Sequence, residues 1–534
     1  MSKIKYKLKK ENIFSKTSIE TFFWLFFIEF IMLKCFYLQF TTQVNVRPFI
    51  TRINFIMLLS TFGFLLIIIS PILMIPGKAR VITLFIVDVL LTAIFIADTN
   101  FFRYYYSAIT IPVFYQVNFK IVSSVDESIL SIFKIKDIIY ILDLPFMIGF
   151  IVFFIKKGVR QIKLKARFIA FLVVIALGAS IFTLSYKRHN ESMFSYDNNY
   201  RIRSLGILYF HFYDASDFLE NQIFGERNLV PQEKAEIEAF YRNRSKTGNN
   251  LRGVAQGKNL IMVQVEALQG FVINNTINGK EITPNLNKLI KECLYFDNIY
   301  YQVSGGNTSD AEFLSNVSLY PLYEGSVYSR FPNNTYYSLP KALKELGYTT
   351  SVFHAFDADF WNRREAYKAI GFDNYYYVDH YIKDDFAGWD GTALSDASFF
   401  RQSIEKFDKE KPFYSFLITL SSHHPFTYFE DFDFDVGKYE GTYFGNYLKA
   451  VNYADKCLGQ FINDLKAKGL WDNSLVVIYG DHQGVTKQEC AAMFEYLDIG
   501  YSECEWIKLQ KVPLIIHYPG LENGSVYSNI GGEV

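Results

Sequence analysis

Carboxylate and imidazole side chains stand directly after four short apolar runs in the second half of this 534-residue chain. Each run has the length and composition of a buried strand. The side chains belong to Glu266, to His354, to the pair His423 and His424, and to the pair Asp481 and His482. In an open α/β sheet, the ligand site lies beyond the carboxyl ends of the strands. We therefore expect these side chains to meet at one edge of a sheet.

Glu266, Asp481 and His482 form a candidate set of metal ligands. Two carboxylates and one imidazole suit Mn²⁺, Mg²⁺ or Zn²⁺. The Asp–His pair stands in the segment YGDHQG (479–484), where a glycine on either side allows a tight turn that directs both side chains toward one ion. The alternative is that each residue is an ordinary loop residue at a strand end. The joint occurrence of these residues after several strands favours the functional interpretation.

The candidate nucleophile, Thr308, lies in the segment SGGNTSDAE (304–312). Two glycines let the backbone approach a ligand closely. Ser309 and Glu312 have the spacing of a capping box, which predicts that a helix starts here. Thr308 would then lie at the helix N-terminus, where free N–H groups and the helix dipole favour a phosphate. The alternative is a capped turn without chemistry, because this spacing is common.

Thr308 also suits the position of a fourth metal ligand. A threonine hydroxyl is a poor nucleophile, and a bound divalent cation lowers its pKa. Attack on a phosphodiester would give a covalent phosphothreonine, which a second alcohol would resolve. The sequence thus predicts a two-step transfer reaction at phosphorus.

Further residues are candidates for contacts with the substrate. His354 or His423 could move the protons of the leaving and incoming alcohols, or could hydrogen-bond the headgroup. Arg363 could hold a phosphate with two hydrogen bonds, and Trp361 could pack against a glycerol or a sugar. The alternative for Trp361 and Arg363 is packing at a helix start with a charge at the surface.

Composition divides the chain into two halves of different character. Half of the residues are apolar and 18% are aromatic, which is high for a soluble protein. Long apolar runs lie before about residue 186, and charged sequence rich in turn signals follows. Lys plus Arg equals Asp plus Glu, and no basic tract with interleaved aromatics stands out in the second half, so we expect no nucleic-acid partner. The five cysteines have no C-x-x-C spacing, so we expect neither a zinc cluster nor a disulfide framework.

Five apolar stretches have lengths near the ~20 residues that span a bilayer as a helix. They are Ile19–Phe40, Ile53–Ile75, Val81–Ala97, Ile138–Ile155 and Phe168–Leu184. Asp88 and Asp143 lie inside the third and fourth stretches. A carboxylate in a membrane is costly and faces protein or a polar cavity, so we expect both to point into the bundle.

Basic residues between the stretches predict the orientation, because cytoplasmic loops carry an excess of Lys and Arg. The segment 1–10 and the second and fourth loops are basic, although Arg47 and Arg52 weaken the assignment of the first loop. The loop residues are Lys78, Arg80, Lys156, Lys157, Arg160, Lys163, Lys165 and Arg167. Segment 1–10 precedes no short apolar region with a cleavage site, so a removable signal peptide is not expected. With five spans, everything after the fifth lies outside the cytoplasm.

The predicted organisation has three parts: a membrane domain at 1–185, a linker with helices at 186–258, and an extracellular domain at 259–534. In the last part, short apolar runs alternate with helical patterns, as in a parallel α/β sheet. The strands are expected at Leu260–Val265, Cys293–Tyr300, Thr349–Phe353, Phe413–Leu420, Leu475–Tyr479 and Val512–His517. The helices are expected at Pro231–Asn243 in the linker, and at Asn285–Lys291, Leu339–Leu346, Trp361–Ile370 and Tyr443–Lys468.

Six motifs in the second half of the chain resemble those of the lipoteichoic acid synthase family. They are VEALQGFVIN (265–274), EITPNL (281–286), NTSDAEF (307–313), FWNR (360–363), LSSHHPF (420–426) and YGDH (479–482). The family consists of membrane-bound phosphoglycerol transferases, and the likeness extends to the five spans and the linker. The resemblance implies an N-terminal α-helical membrane bundle with five transmembrane helices, followed by a C-terminal α/β sulfatase-like domain of the alkaline phosphatase superfamily.

The resemblance also implies a role for each candidate residue. The ligands of a manganese-type ion would be Glu266, Thr308, Asp481 and His482, with Thr308 as the nucleophile. The contacts to the glycerol-phosphate group would be His354, Trp361, Arg363 and His423. Phosphatidylglycerol would be the donor, diacylglycerol the released product, and a glycolipid anchor or a growing polyglycerolphosphate chain the acceptor.

Two departures from the family pattern stand out. Ala267 occupies a position where members often have serine, which is a mild change beside the metal ligands. The catalytic domain of the family continues past the position of Val534, so we expect the domain to be C-terminally truncated in this chain.

Two other functions remain as alternatives at this point. A phosphoethanolamine transferase or a sulfatase-type hydrolase would keep the fold and change the chemistry, although sulfatases use a residue made from Cys or Ser and position 308 is Thr. A membrane-anchored binding protein with a decayed catalytic domain would use none of these residues. The intact set of Thr, Glu, Asp and His argues against it.

Overall fold

The computed structural model describes most of the chain as two compact units. The described residues are 16–42, 52–105, 108–115, 134–187, 198–224, 230–243, 251–323, 325–387, 393–429 and 431–534. One unit contains residues 1–110 and 132–223, and the other contains 111–131 and 224–534. Segment 1–10 and Arg47, which enter the predicted orientation, lie outside the described residues.

The first unit is a bundle of α-helices. In chain order, the helices of residues 16–243 are α1 (Lys16–Thr42), α2 (Arg52–Ile69), α3 (Gly77–Tyr105), α4 (Ile111–Tyr115), α5 (Leu144–Lys157), α6 (Leu164–Lys187), α7 (Asn198–Leu205), α8 (Ile207–Phe224) and α9 (Pro231–Asn243). All except α4 and α9 belong to the first unit. The predicted exposed helix of the linker is confirmed as α9.

Five helical segments within the described residues are long and apolar enough to cross a bilayer. They are Ile19–Thr42, Phe55–Met74, Gly77–Arg103, Ile135–Lys157 and Leu164–Tyr186. The five predicted spans are therefore confirmed. The largest difference is in the third span, whose helix begins before Val81 and continues past Ala97 to Tyr105, because polar residues in its last turns do not interrupt the helix.

Close packing in the bundle depends on two glycines. Helices α2 and α6 pack against each other, and a Cβ at Gly63 would lie 2.9 Å from the carbonyl oxygen of Gly178. A Cβ at Gly178 would in turn lie 2.7 Å from the carbonyl oxygen of Gly63. Small residues at a crossing let two membrane helices approach closely and gain van der Waals contact. Larger side chains at either position would push α2 and α6 apart.

The bundle also buries ion pairs. The Arg80 guanidinium pairs with the Glu20 carboxylate, and both residues are buried. Arg103 donates to both oxygens of Asp137, at 2.6 and 2.5 Å. Arg80 was expected as a loop charge, but it lies in the first turns of α3 and is only 2% exposed. Its contribution to orientation is therefore weaker than that of an exposed loop arginine.

The second unit is built on a nine-stranded sheet. Its strands are β1 (Asn259–Val265), β4 (Leu294–Tyr300), β5 (Thr349–Phe353), β6 (Asn374–Tyr376), β7 (Phe413–Ile418), β8 (Ser474–Gly480), β9 (Lys511–His517), β10 (Ser525–Tyr527) and β11 (Gly531–Gly532), while β2 (Thr276–Ile277) and β3 (Lys280–Glu281) form a separate hairpin. The order in the sheet is β10-β4-β9-β8-β1-β7-β5-β6, and β11 pairs with β4.

The central strands bury both faces of the sheet. Along β1, Ile261 and Val263 enter one hydrophobic core, while Leu260 and Met262 enter another. All seven residues of β1 and all six of β7 are buried. A strand that is covered on both faces needs a continuous apolar run rather than alternation. This explains why these strands were predictable from their composition.

The sheet is mixed, and the expectation of a parallel sheet is wrong in one strand. Strands β8, β1, β7, β5 and β6 pair in parallel, whereas β9 runs antiparallel to both β8 and β4. The apolar pattern of Val512–His517 gives no direction, so this reversal could not be predicted. The strands that precede the candidate residues all run the same way, and their carboxyl ends share one edge, which we call the rim.

The helices of the second unit cover the sheet. After α9 they are α10 (Pro284–Leu289), α11 (Thr308–Val317), α12 (Val327–Arg330), α13 (Leu339–Glu345), α14 (Arg363–Ile370), α15 (Asp396–Ser403), α16 (Tyr443–Ala467), α17 (Ala491–Tyr496) and α18 (Glu503–Lys508). The predicted helix Trp361–Ile370 begins later, at Arg363. Trp361 and Asn362 have φ of 58° and 55°, which a helix cannot contain.

Candidate functional site at the rim of the sheet

The rim brings together residues that follow two strands and one residue that begins a helix. Glu266 follows β1, while Asp481 and His482 follow β8, the neighbour of β1 in the sheet. Thr308 is the first residue of α11. All four residues are at least 94% buried. The sequence-predicted metal set and the predicted nucleophile thus lie in one cluster.

The distances in this cluster are those of groups that face a common point. One ligand atom from each of Glu266, Asp481 and His482 lies within 4.8 Å of the others. His482 Nε2 is 3.5 Å from Glu266 Oε1 and 3.5 Å from Asp481 Oδ2. The Thr308 hydroxyl oxygen is 3.3 Å from Glu266 Oε2 and 3.4 Å from His482 Nε2. These separations are too long for strong hydrogen bonds.

The tautomer of His482 indicates what lies between these atoms. Nδ1 of His482 is 3.0 Å from the carbonyl oxygen of Gln483. A carbonyl can only accept, so Nδ1 carries the proton and Nε2 presents a lone pair. That lone pair faces the carboxylates of Glu266 and Asp481, which are also acceptors. A divalent cation satisfies such a set, and a hydrogen bond from the other ring nitrogen to a carbonyl is typical of a metal-binding histidine. The residues present therefore fit a metal.

The backbone fixes one oxygen of Asp481 and leaves the other for the cluster. Asp481 Oδ1 accepts from the N–H groups of Ala267 and His482, both at 2.8 Å. Gln264 donates from Nε2 to the Thr308 carbonyl at 3.2 Å and lies 3.4 Å from Asp481 Oδ2. Gln264 is fully buried in β1, so it links the strand to both the nucleophile and the metal set.

Burial changes the protonation of the two carboxylates. Burial, followed by the negative charge of Asp481, raises the pKa of Glu266 well above its ordinary value. Burial also raises the pKa of Asp481. Both shifts describe the cluster without a cation, because a bound divalent ion favours the ionised forms. The cluster thus disfavours two bare negative charges and would gain stability from a cation.

The helix that carries Thr308 starts where the sequence predicts, but not by a capping box. Ser309 donates its hydroxyl to the Gly306 carbonyl at 2.8 Å, and no side chain caps the helix. Asp310 Oδ2 instead accepts from the N–H groups of Ser304 and Gly306, both at 2.9 Å. Burial raises the pKa of Asp310 to about 7. The loop is therefore closed by Asp310, and Glu312 has another role.

Glycines at the rim allow parts of the chain to approach one another closely. A Cβ at Gly306 would lie 2.2 Å from Asp310 Oδ1, and one at Gly305 would lie 2.9 Å from the Gly325 nitrogen. A Cβ at Gly480 would lie 2.1 Å from the carbonyl oxygen of Leu268. The absence of a side chain at these glycines lets neighbouring segments of the same chain approach closely. Gly305, Gly306 and Gly480 all have negative φ, so a positive φ is not the reason for glycine at these positions.

Strained backbone flanks two of the four cluster residues. Asn307, directly before Thr308, has φ 39° and ψ −114°. Ala267, directly after Glu266, has φ 54°. Residues without glycine's freedom at positive φ cost about 1–3 kcal/mol each and concentrate at functional sites. At both positions the strain accompanies a side chain that must face the common point.

Arg363 is buried and already has an anionic partner. Glu312, which is fully buried on the helix of Thr308, accepts from Arg363 Nε at 3.0 Å and Nη2 at 2.7 Å. Tyr367 donates its hydroxyl to the other oxygen of Glu312 at 2.7 Å. Burial opposes the charge of Arg363, but Glu312 together with Tyr367 and other neighbours outweighs burial, so the pKa of Arg363 is raised. The pair ties the helix of the arginine to the helix of the nucleophile.

The two predicted substrate histidines are uncharged at neutral pH. Burial, with a smaller effect of Arg363, holds the pKa of His354 well below its ordinary value. Burial lowers the pKa of His423 to about 4. Nδ1 of His423 donates to the His424 carbonyl at 2.6 Å, and Nδ1 of His354 lies 3.4 Å from the Ile418 carbonyl. In both rings Nε2 is therefore the acceptor nitrogen.

Arg363 lies close enough to several rim residues for its charge to change their pKa values. Its charge acts on Glu266, His354 and His423. Trp361 is half-buried, and its ring packs on Phe360 with the ring centroids 5.9 Å apart. The structure therefore groups the two histidines and the arginine with the metal set, whereas the contact found for Trp361 is with its neighbour in the chain.

Similarity to known proteins covers both units. The profile of the Lipoteichoic acid synthase N-terminal domain matches residues 1–225, and the Sulfatase profile matches residues 258–531. Lipoteichoic acid synthase 2 of Bacillus subtilis (strain 168) is 33% identical over 466 residues, which is 86% of this chain and 71% of that protein. The chain belongs to the lipoteichoic acid synthase family.

Two further relatives agree with this assignment. Lipoteichoic acid synthase of Staphylococcus aureus (strain USA300) is 32% identical over 492 residues, which cover 90% of this chain and 75% of that protein. The crystal structure of the lipoteichoic acid synthase LtaP from Listeria monocytogenes is similar with a TM-score of 0.52 and 35% identity, covering 56% of this chain and 75% of that one. This chain is thus a multi-pass membrane protein of the lipoteichoic acid synthase family, with a sulfatase-like α/β domain.

Two residues of this lipoteichoic acid synthase family member were not predicted to support the site. Glu312 was interpreted as half of a capping box, although its neighbours Phe313 and Leu314 are apolar and a charge among them was a signal of a buried partner. Gln264 is an amide near the end of the apolar strand β1, whose first residue, Asn259, is the other amide. A polar side chain within a strand that is buried on both faces needs hydrogen-bond partners, and this was the signal that could have identified it.

Proposed function

We propose that this chain transfers glycerol phosphate from phosphatidylglycerol to a glycolipid anchor or a growing polyglycerolphosphate chain. Thr308 carries the glycerol phosphate as a covalent phosphothreonine, and diacylglycerol is released. Membership in the lipoteichoic acid synthase family supports the substrate class. The single structural observation that carries the mechanism is the Thr308 hydroxyl oxygen, which lies 3.3 Å from Glu266 Oε2 and 3.4 Å from His482 Nε2.

The metal site is proposed to consist of Glu266, Thr308, Asp481 and His482. The ion is Mn²⁺ by resemblance to the family, and Mg²⁺ and Zn²⁺ suit the same oxygen and nitrogen donors. When bound, it lowers the pKa of the threonine hydroxyl and neutralises charge on the phosphate oxygens. The hydrogen bonds that Asp481 Oδ1 accepts and the one that His482 Nδ1 donates hold these two ligands in place.

In the first step, the Thr308 oxygen attacks the phosphorus of phosphatidylglycerol. A bond forms between Thr308 Oγ1 and phosphorus, and the bond from phosphorus to the diacylglycerol oxygen breaks. The threonine hydroxyl loses one proton and the departing diacylglycerol oxygen gains one, so the step is balanced in protons. Thr308 is the first residue of α11, and the N–H groups of the next three residues already donate to the carbonyls of Gly306 and Asn307. The negative phosphate would therefore meet the positive end of the helix dipole rather than a set of free N–H groups.

In the second step, a hydroxyl of the acceptor attacks the phosphothreonine. The new bond joins phosphorus to the acceptor oxygen, the bond to Thr308 breaks, and the proton of the acceptor restores the threonine hydroxyl. His354 and His423 are neutral at neutral pH and present Nε2 as an acceptor. Because their lowered pKa values make both rings weak bases, each nitrogen suits a hydrogen-bond partner of the glycerol better than a base for the acceptor hydroxyl.

Arg363 and Trp361 are proposed to hold the glycerol-phosphate group. Glu312 occupies Nε and one N–H of Nη2, and Nη1 lies 3.3 Å from the Phe360 carbonyl. The guanidinium has five N–H groups, so it keeps donors for a phosphate after these contacts. Pairing with Glu312 fixes its orientation, and the half-buried Trp361 ring offers an apolar face for glycerol.

The reaction is proposed to occur on the outer face of the cell membrane. The basic loop residues between the fourth and fifth spans favour an inner location for that loop, which places the sulfatase-like unit of residues 259–534 outside. Phosphatidylglycerol, a membrane lipid, supplies the transferred group, so the reaction needs no cytoplasmic nucleotide. The membrane unit (1–185) and the linker (186–258) keep the enzyme at its lipid substrate.

The test is an assay of the full chain with phosphatidylglycerol labelled in its headgroup. With Mn²⁺ present, we expect diacylglycerol release and a glycerol-phosphate adduct on the peptide that contains Thr308, detected by mass spectrometry. Thr308→Ala should give neither product. Adduct formation on another residue, or release of diacylglycerol by Thr308→Ala at the unmodified rate, would overturn the mechanism. Parallel vesicles of phosphatidylethanolamine test the headgroup, and preferential turnover of that lipid would reject phosphatidylglycerol as donor.

A further inference from the structure

The membrane unit contains a second buried cluster of charge, which the proposed reaction does not use. Lys34 of α1 lies 2.9 Å from Asp88 Oδ1 and 2.7 Å from Asp143 Oδ2. Lys34 also donates to the Thr92 hydroxyl at 2.7 Å. The three charged side chains are 1–3% exposed. They lie in the first, third and fourth candidate spans.

The charges of this cluster do not balance. Two carboxylates face one ammonium group, which leaves one negative charge in excess if all three residues are ionised. The other buried cations of the membrane unit that the structure describes already have anionic partners, because Arg80 pairs with Glu20 and Arg103 pairs with Asp137. An uncompensated charge in a membrane-spanning bundle is strongly unfavourable.

The hydrogen bonding of the cluster is also incomplete. Asp88 uses Oδ1 and Asp143 uses Oδ2 to accept from Lys34. The other two oxygens, Asp88 Oδ2 and Asp143 Oδ1, are buried. Neither has a hydrogen-bond partner among the residues that the structure describes. The two carboxyl groups also lie close enough to interact with each other. Because both contact one nitrogen, their contacting oxygens are within roughly 6 Å of each other, the sum of two hydrogen-bond lengths.

A proton meets both needs better than a metal ion. A proton on one carboxyl removes the excess charge and turns one unpaired oxygen into a donor. A metal ion would lie beside the Lys34 ammonium, which repels it. Hard metal ions also take about six oxygen ligands, and the Thr92 hydroxyl already accepts from Lys34. The cluster therefore has the composition of a proton site rather than of a metal site.

We propose that Asp88 and Asp143 hold one resident proton between them, next to the charged Lys34, inside the membrane unit. At neutral pH one carboxyl is protonated and the other forms the ion pair. Helices α1, α3 and α5 pack against one another, and Lys34, Asp88 and Thr92 belong to α1 and α3, while Asp143 directly precedes α5. A movement that separates these helices must therefore move or release the proton. This inference does not depend on the proposed transferase activity.

The test is infrared difference spectroscopy of the full chain in detergent at neutral pH. Asp143→Asn leaves Asp88 as the partner of Lys34, so the spectrum should lose the C=O band of one protonated carboxyl and no carboxylate band. Asp88→Asn should give the same result, since either residue can supply the remaining ion pair. Asp379→Asn is the control, because Asp379 is 68% exposed and pairs with Lys383 at the surface. It should lose a carboxylate band and no C=O band.

The opposite pattern would overturn the proposal. If Asp143→Asn or Asp88→Asn loses a carboxylate band and leaves the protonated C=O bands unchanged, both residues are ionised and no resident proton exists. A second measurement needs no variant: the unfolding midpoint of the unmodified protein in sodium chloride is compared with that in choline chloride at equal ionic strength. We expect equal midpoints. A sodium-specific increase that Asp143→Asn removes would also overturn the proposal, in favour of a metal cation.

Discussion

The two units of the molecule bury charged side chains in opposite ways. In the membrane unit, the buried carboxylates of Glu20 and Asp137 each pair with an arginine. At the rim of the sheet, the buried carboxylates of Glu266 and Asp481 face a histidine lone pair and a hydroxyl instead. The first arrangement is complete within the chain, and the second needs a cation from outside.

This difference separates structural charge from functional charge. Removing one partner of a complete buried ion pair leaves an uncompensated charge and destabilises the fold. Removing a carboxylate from a set that lacks its cation relieves repulsion and prevents ligand binding. The same kind of substitution should therefore have opposite effects on the stability of the metal-free protein in the two units. Substitutions that fail to show this contrast would refute it.

The largest expected effect is on the reaction at the rim. Thr308→Ala should lower the rate of diacylglycerol release by at least about 10³-fold, because it removes the nucleophile. Thr308→Ser keeps a hydroxyl in the same position and should retain measurable activity. Release of labelled diacylglycerol by the full chain measures both rates. Equal activity of Thr308→Ala and Thr308→Ser would show that the hydroxyl takes no part in the reaction.

A large effect on stability is expected from the complete pairs of the membrane unit. Asp137→Ala leaves the Arg103 guanidinium buried without its anion, which costs about 3 kcal/mol or more. The unfolding midpoint of the full chain in detergent should fall accordingly. The double variant Arg103→Met with Asp137→Leu removes both charges and should recover most of the loss. A single variant as stable as the unmodified protein would mean that the pair is not structural.

A smaller effect of opposite sign is expected at the rim. In chelator-treated protein, Glu266→Gln should raise the unfolding midpoint by about 2–4 °C, roughly the shift that 1 kcal/mol gives in a domain of this size. Burial and Asp481 raise the pKa of Glu266, so a neutral amide is favoured there when no cation is bound. Added Mn²⁺ should stabilise the unmodified protein and not this variant. A lower midpoint for metal-free Glu266→Gln would contradict the comparison.

The smallest expected effect concerns a half-buried histidine that carries no charge at neutral pH. Burial, followed by the neighbouring His423, lowers the pKa of His424 to about 3. The unfolded chain binds a proton at this histidine near pH 6.5, whereas the folded chain does not until the pH is far lower. Stability contributed by neutral His424 is therefore complete above about pH 6.5 and falls as the pH drops from 6.5 toward 3.

His424→Gln should remove this part of the acid sensitivity. The difference in unfolding midpoint between the variant and the unmodified protein, measured at several pH values from about 7 to 4, isolates the contribution of this residue. The difference should change by a few degrees over the window. A difference that is constant with pH would show that the histidine is protonated equally in the folded and unfolded states.

Much of this contrast could be predicted from the sequence, and the reasons are local. Strands β1 and β7 were predictable because burial on both faces requires a continuous apolar run. Glu266, Asp481 and His482 were predictable as a group because parallel strands deliver the residues that follow them to one edge. The five spans were predictable from length and hydropathy alone.

The partners of buried charges could not be predicted, because they depend on long-range packing. Asp88 and Asp143 were expected to face the bundle interior. The local sequence, however, does not determine the rotation of the helices that brings both carboxylates to Lys34. Glu312 has the spacing of a capping residue, and only the position of Arg363 on a different helix shows its actual role. The antiparallel direction of β9 is likewise set by the sheet and not by its residues.

The most direct test of the central claim is metal binding by the full-length protein after treatment with a chelator. Calorimetric titration with Mn²⁺ should show one ion per chain, and Asp481→Asn and His482→Gln should each abolish this binding. His517→Gln is the matched control, because His517 is a buried histidine on β9 that contacts the Trp471 carbonyl. This control should bind the ion as the unmodified protein does. Unchanged Mn²⁺ affinity in both Asp481→Asn and His482→Gln would contradict a shared cation site at the rim.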